Sequence, residues 1–164
     1  MPNPGQPTIS PGATGDVVRR LQRALRRTPN LALSLDGVFG PLTETAVVQF
    51  QQGASLTPDG VVGPLTWQAL PDGGPMPLLV VGSTGDVVAD LQSVLTNGAL
   101  GQWGTTPQGI DGDFGPHTRA CVEAFQTWGG VGVDGVVGDQ TWAVSLHAMS
   151  ATLESAVGLT FVIG

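Results

Sequence analysis

Lysine is missing from this chain of 164 residues, and charged side chains of all kinds make up only 12% of it. The six basic residues are all arginines, set against thirteen acids, and the net charge is −7. That balance argues against non-specific nucleic-acid binding, which needs a broad basic surface. Cysteine is down to one residue, Cys121, so no disulfide can close within the chain. The two histidines, His117 and His147, are scattered and no cluster of three or four ligand residues surrounds either, so no metal or other cofactor is expected. No apolar run approaches the twenty or so residues that a membrane-spanning helix needs, and no membrane partner is expected. The opening Met1-Pro2-Asn3-Pro4-Gly5 has neither a basic n-region nor an apolar h-region, so no signal peptide is visible.

Glycine is what the chain has in excess, with 25 residues, and repeated turns explain most of them. The stretch Asp36-Gly37-Val38-Phe39-Gly40-Pro41-Leu42-Thr43 continues as a helical pattern to Phe50-Gln51. It recurs as Asp111-Gly112-Asp113-Phe114-Gly115-Pro116-His117-Thr118, continuing to Phe125-Gln126. Asp-Gly sets a tight turn, and proline at the first helical position has its φ already fixed. Ala46, Val47 and Phe50 then give the helix an apolar face. Cys121 stands where Ala46 stands, which predicts a small buried side chain rather than a reactive thiol.

Two further blocks repeat in the same order. Gly12 to Leu25 matches Gly82 to Leu95, and Asp59 to Trp67 matches Asp134 to Trp142. The change of offset places a five-residue insertion between Leu95 and Asp111. The chain is a duplication of a helix–turn–helix–turn–helix unit. The predicted fold class is all-α, as tandem three-helix units with a pseudo-two-fold internal repeat. Residues 1–70 form the first repeat, 71–77 a linker with three prolines and two glycines, and 78–164 the second repeat.

Helices are predicted at Asp16–Arg27, Pro41–Gln52, Pro64–Leu70, Asp86–Thr96 and Pro116–Trp128. Pro29 to Leu35 and Asn97 to Ile110 read as loops. From Asp139 the positions Trp142, Leu146, Met149, Leu153 and Val157 keep helical spacing, which predicts one long final helix ending at Gly158. The apolar tail Leu159 to Ile163 is expected to be docked.

Charge is uneven along the chain. Residues 1–74 hold five acids and five arginines, a balance of zero, while residues 75–164 hold eight acids and only Arg119, a balance of −7. On the first helix, Arg19, Arg20, Arg23, Arg26 and Arg27 lie within an arc of about 120° opposite the apolar side. They read either as a solvated face or as a cationic strip for an anionic partner.

The combined pattern G-x-x-G-D-V-V-x-x-L-Q…D-G-x-F-G-x-x-T…F-Q…D-G-V-V-G-x-x-T-W resembles the bacterial peptidoglycan-binding domain, a three-helix repeat often fused to cell-wall hydrolases. Two copies cover roughly residues 9–72 and 79–147. The resemblance implies a non-catalytic accessory module whose partner is the glycan-peptide of the wall, accompanied by a hydrolase or assembly subunit encoded elsewhere. It also implies an extracellular or wall-associated place. The same three helices occur in propeptides of animal matrix metalloproteases, but their inhibitory cysteine motif is absent here.

By that resemblance the binding groove lies near the turns before the second and third helices. This makes Asp36, Thr43, Asp59 and Thr66 ligand candidates, with Asp111, Thr118, Asp134 and Thr141 in the second copy. Helix capping is the competing role for the same residues. Trp67, Trp142 and the paired phenylalanines Phe39, Phe50, Phe114 and Phe125 read as core. Trp103 and Trp128 lack counterparts in the first copy and read as an inter-unit contact or a ligand platform. No catalytic residue is expected, because the histidines are scattered and the acids sit mostly in Asp-Gly turns. The alternative to wall binding is a structural or docking subunit of a surface, phage-tail or secretion assembly.

Overall fold

A computed structural model describes residues 3–28, 33–98, 102–144, 146 and 152–162. It divides into two compact units, Met1–Pro75 with Val162–Gly164, and Met76–Phe161. Among the described residues there are seven α-helices and no sheet: α1 Asp16–Arg26, α2 Pro41–Gly53, α3 Pro64–Ala69, α4 Asp86–Gly98, α5 Pro116–Gly129, α6 Asp139–Trp142 and α7 Leu153–Val157. Extended backbone is limited to isolated antiparallel bridges, Ile9 with Val62 and Thr14 with Val38 in the first unit, and Leu79 with Val137 and Thr84 with Asp113 in the second.

Proline opens α2, α3 and α5, each behind an extended glycine at the cap, Gly40, Gly63 and Gly115. No side chain caps these helices; the turn aspartates accept backbone amides inside their own turns instead. At the far end of α5, Gly130 takes a left-handed φ of +72°, which glycine adopts without steric cost.

In the first unit, Val18, Leu21, Ala24 and Leu25 of α1 meet Ala46 and Val47 of α2, with Phe39, Val62, Trp67 and Leu70 closing the core. The indole N–H of Trp67 donates to the Pro7 carbonyl at 2.8 Å, tying the N-terminal arm to α3. The second unit repeats that bond from Trp142 to Pro77 at 3.0 Å. Its core holds Val88, Leu91, Leu95, Phe114, Cys121, Val122, Phe125 and Leu153, all buried.

The single long helix predicted from Asp139 does not form. Helix α6 stops at Trp142, and the chain turns at Ala143. The Val144 carbonyl then accepts from the Leu153 amide at 2.9 Å, a bond that a continuous helix would forbid. Val144 and Leu146 are buried in this non-helical stretch. Gly129 makes room for it, since a Cβ there would lie 2.7 Å from a Val144 methyl. Thr152 restarts the chain as α7, its hydroxyl accepting from the Ser155 amide at 3.4 Å. Of the spaced apolar positions, Trp142 is buried from α6, Leu153 and Val157 from α7, and Leu146 from outside any helix. Met149 and His147 lie outside the described residues. Of the tail, Leu159–Phe161 forms a 3₁₀ turn, Phe161 and Val162 are half-buried, and Ile163 lies outside the described residues.

Candidate functional site

Four turns of the chain share one hydrogen-bond device, and a buried glutamine is its centre. Gln22 Nε2 donates to Asp36 Oδ1 at 2.8 Å, to the Val38 carbonyl at 3.2 Å and to Thr43 Oγ1 at 3.2 Å. Its Oε1 accepts from the Gly37 amide at 3.0 Å. Gln51 does the same for Asp59, Val61, Thr66 and Gly60. Gln92 holds Asp111, Asp113, Thr118 and Gly112, and Gln126 holds Asp134, Val136, Thr141 and Gly135. None of the four glutamines is more than 1% exposed. Two amide hydrogens serve three acceptors in each case, and a buried amide needs such partners. The turn glycines require φ near +70°, which explains why the Asp-Gly pair recurs.

Each aspartate Oδ1 also accepts from the amide two residues on, at 3.0 Å for Val38, Val61 and Asp113 and 2.9 Å for Val136. These bonds stabilise the ionised form. Asp36 is held below the usual carboxylate value mainly by Gln22 and then by the Val38 amide. Asp111 and Asp134 are held below it mainly by the Asp113 and Val136 amides and then by their glutamines. The threonines Thr43, Thr66, Thr118 and Thr141 are buried inside the device. The eight Asp and Thr candidates are thus brought together in pairs, but by the fold's own bonds. Sequence reasoning missed the glutamines that join them. The signal was present, because Leu-Gln or Phe-Gln precedes every Asp-Gly turn.

One of these turns opens onto a groove of about 230 Å³, lined by Gln51, Leu56, Thr57, Asp59, Val61, Gly63, Pro64, Leu65 and Thr66. Gln51 and Thr66 are its buried polar lining, and Pro64 and Leu65 form an exposed apolar rim. Leu65 is 68% exposed. A shallower concavity of about 340 Å³ lies along α2 at Pro41, Glu44, Thr45, Val48 and Gln49.

The arginine face of α1 is largely turned onto the linker. Arg23 and Arg26 are buried, so the face is not solvated. Arg20 Nε donates to Asn3 Oδ1 at 2.9 Å, and its Nη2 pairs with Asp72 at 3.0 Å. Arg23 Nε donates to the Gly73 carbonyl at 2.7 Å, and Arg27 Nη1 to the Asp72 carbonyl at 2.5 Å. Asn3 completes the arrangement, accepting from the Gly73 amide at 3.0 Å. A proline- and glycine-rich linker has no ladder to satisfy its carbonyls, and the guanidinium groups supply the donors. Only Arg19 stays substantially exposed on its side, paired with Asp16 at 3.0 Å.

Trp103 is turned inward, and Trp128 is half-buried against it. Trp103 is buried, donates to the Leu95 carbonyl at 3.2 Å and stands edge-on to Phe125 with ring centroids 5.0 Å apart. Trp128 packs on both, at 5.2 and 5.8 Å. The insertion therefore covers Phe125, whereas its counterpart Phe50 is only partly buried. Cys121 is buried beside this cluster, its thiol pushed up to about 11 by desolvation. Among the described residues no group of three or more His, Cys, Asp or Glu side chains is placed to hold a metal ion.

Comparison with known proteins gives two matches to one family, described as a putative peptidoglycan binding domain, over residues 14–70 and 84–144. The chain is similar to an uncharacterized protein in the bpoA1 3′ region of Kitasatospora aureofaciens, 45% identical over 67 residues, covering 41% of this chain and 53% of that protein. It is also similar to the zinc D-Ala-D-Ala carboxypeptidase of Streptomyces albus G, 42% identical over 62 residues, covering 37% of this chain and 23% of that enzyme. The chain thus spans about half the length of the first relative and about a quarter of the second. Among solved structures, the SleB N-terminal domain is 36% identical, covering 39% of this chain and 88% of that one, with a TM-score of 0.37.

Proposed function

Since the chain belongs to the peptidoglycan-binding domain family, which matches it twice, we propose that it holds bacterial peptidoglycan without acting on it chemically, through a groove beside an Asp-Gly turn. The observation that carries this reading is the groove around Leu56, Asp59 and Leu65, set on a turn whose frame the buried Gln51 fixes. Sugar rings and short peptides present C–H faces to an apolar rim, while their hydroxyl and amide groups need polar partners. The groove offers both. Asp59 Oδ1 is already engaged by Gln51 and Val61, so its second oxygen and the Thr57 hydroxyl are the groups offered to a ligand. Such a ligand puts the protein outside the cell or in the wall. No helix among the described residues is long and apolar enough to cross a membrane.

Co-sedimentation of the purified chain with insoluble sacculi tests the reading. Retention that soluble wall fragments compete away is expected. A chain left wholly in the supernatant, and self-associating as its concentration rises, would instead favour a docking subunit of a larger assembly.

A further inference from the structure

We infer that the two units differ in function, the first supplying the groove that retains peptidoglycan and the second not retaining it, with Pro64 and Leu65 as the determining residues. This rests on the reading of peptidoglycan as the ligand. The main-chain frame around the groove is the same in both units. The Leu56 amide donates to the Gln51 carbonyl at 2.8 Å, and the Val131 amide to the Gln126 carbonyl at 3.1 Å. The step into that loop is left-handed in each, with φ +59° at Ser55 and +72° at Gly130. Gln51 and Gln126 fix the following turns with matching sets of bonds. The turn frames therefore match, and the side chains set on them differ.

Those side chains change most at the start of the third helix. Pro64 and Leu65 on the rim of the first are replaced by Asp139 and Gln140 in the second, and Thr57 by Gly132. The first unit thus presents exposed apolar surface beside a buried polar lining, an arrangement that favours a covering ligand. The second keeps apolar side chains at Val131 and Val133, but it is polar at the Pro64 and Leu65 stations and gains a carboxylate five residues from Asp134.

Charge points the same way. Peptidoglycan stem peptides end in carboxylates, so the polymer is anionic. Residues 1–74 balance to zero, whereas residues 75–164 carry eight acids against Arg119, a balance of −7. An anionic strand is repelled by the second unit and not by the first.

The experiment exchanges the rims in the full chain and measures sedimentation with sacculi. A Pro64→Asp/Leu65→Gln variant is expected to be retained about tenfold more weakly than wild type, the loss typical of removing a central contact. The reciprocal Asp139→Pro/Gln140→Leu variant is expected to hold at least as well as wild type. Because the second unit already folds with Asp and Gln at these stations, the first variant should melt like wild type. Should it melt early, Thr57→Gly is read in its place, with weaker retention expected. Undiminished retention of the first-unit variants, or a tenfold loss in the reciprocal one, overturns the assignment. A wild-type chain that never sediments overturns the peptidoglycan reading itself, so the two failures are distinguishable.

Discussion

Gln126 shows what a single buried side chain does here. It bonds Asp134, Val136, Thr141 and Gly135 while wholly inaccessible to water. Replacing it by alanine leaves the Gly135 amide without its partner and the Thr141 hydroxyl with only its bond to the Val136 carbonyl. A buried group so stranded costs about 1–3 kcal/mol, so Gln126→Ala is expected to destabilise the second unit by about 2 kcal/mol in urea titration. A variant within about 0.5 kcal/mol of wild type would show that water replaces the amide at no cost. The aspartates of these turns predict an acid response. Asp36, Asp111 and Asp134 have folded values below the ordinary 3.8, so the unfolded chain binds their protons more readily. The stability they confer is complete above an unfolded value of about 4 and is lost as pH falls through the lower folded values. Thermal melts taken downward from about pH 6 should hold steady and then drop below about pH 4, and Asp111→Asn should flatten part of that drop.

At the scale of the element, α1 has two faces with separate tasks. Its apolar face builds the core, and its arginine face fastens the linker. Gly73 comes so near that a Cβ would sit 2.1 Å from the Arg20 carbonyl oxygen. Gly73→Ala must therefore push the linker off α1, at a cost of about 3 kcal/mol, the upper end of overpacking penalties. Earlier cleavage of the 71–75 segment in limited proteolysis, together with a lower melting temperature, is the expected result. Unchanged cleavage would mean that the arginine bonds do not hold the segment. The helix spans themselves were legible, because proline starts and glycine stops are local signals. The end of the chain was not. Trp142, Leu146, Leu153 and Val157 satisfy a helical period and are all buried, yet Val144 bonds to Leu153 across a break. Periodicity reports which residues are buried, not whether the backbone between them is continuous.

Across the whole molecule, duplication supplies one frame and lets the copies diverge. The second unit adds five residues, and with them Trp103, which together with Trp128 seals Phe125; the first unit leaves Phe50 half-covered. The second unit also concentrates the negative charge, and the first carries apolar Pro64 and Leu65 on its groove rim.

The amino-acid sequence by itself determined the duplication, the all-α class, the turn positions and the family, since each depends on short patterns that neighbours in the chain enforce. Pairings between residues far apart in the chain were left to the tertiary structure. It decided that Gln22 reaches Asp36 and Thr43, that Arg23 is spent on Gly73, and that Trp103 goes inward. A polar side chain in a sequence offers donors and acceptors without naming their partner. Only packing, by removing water, forces that choice.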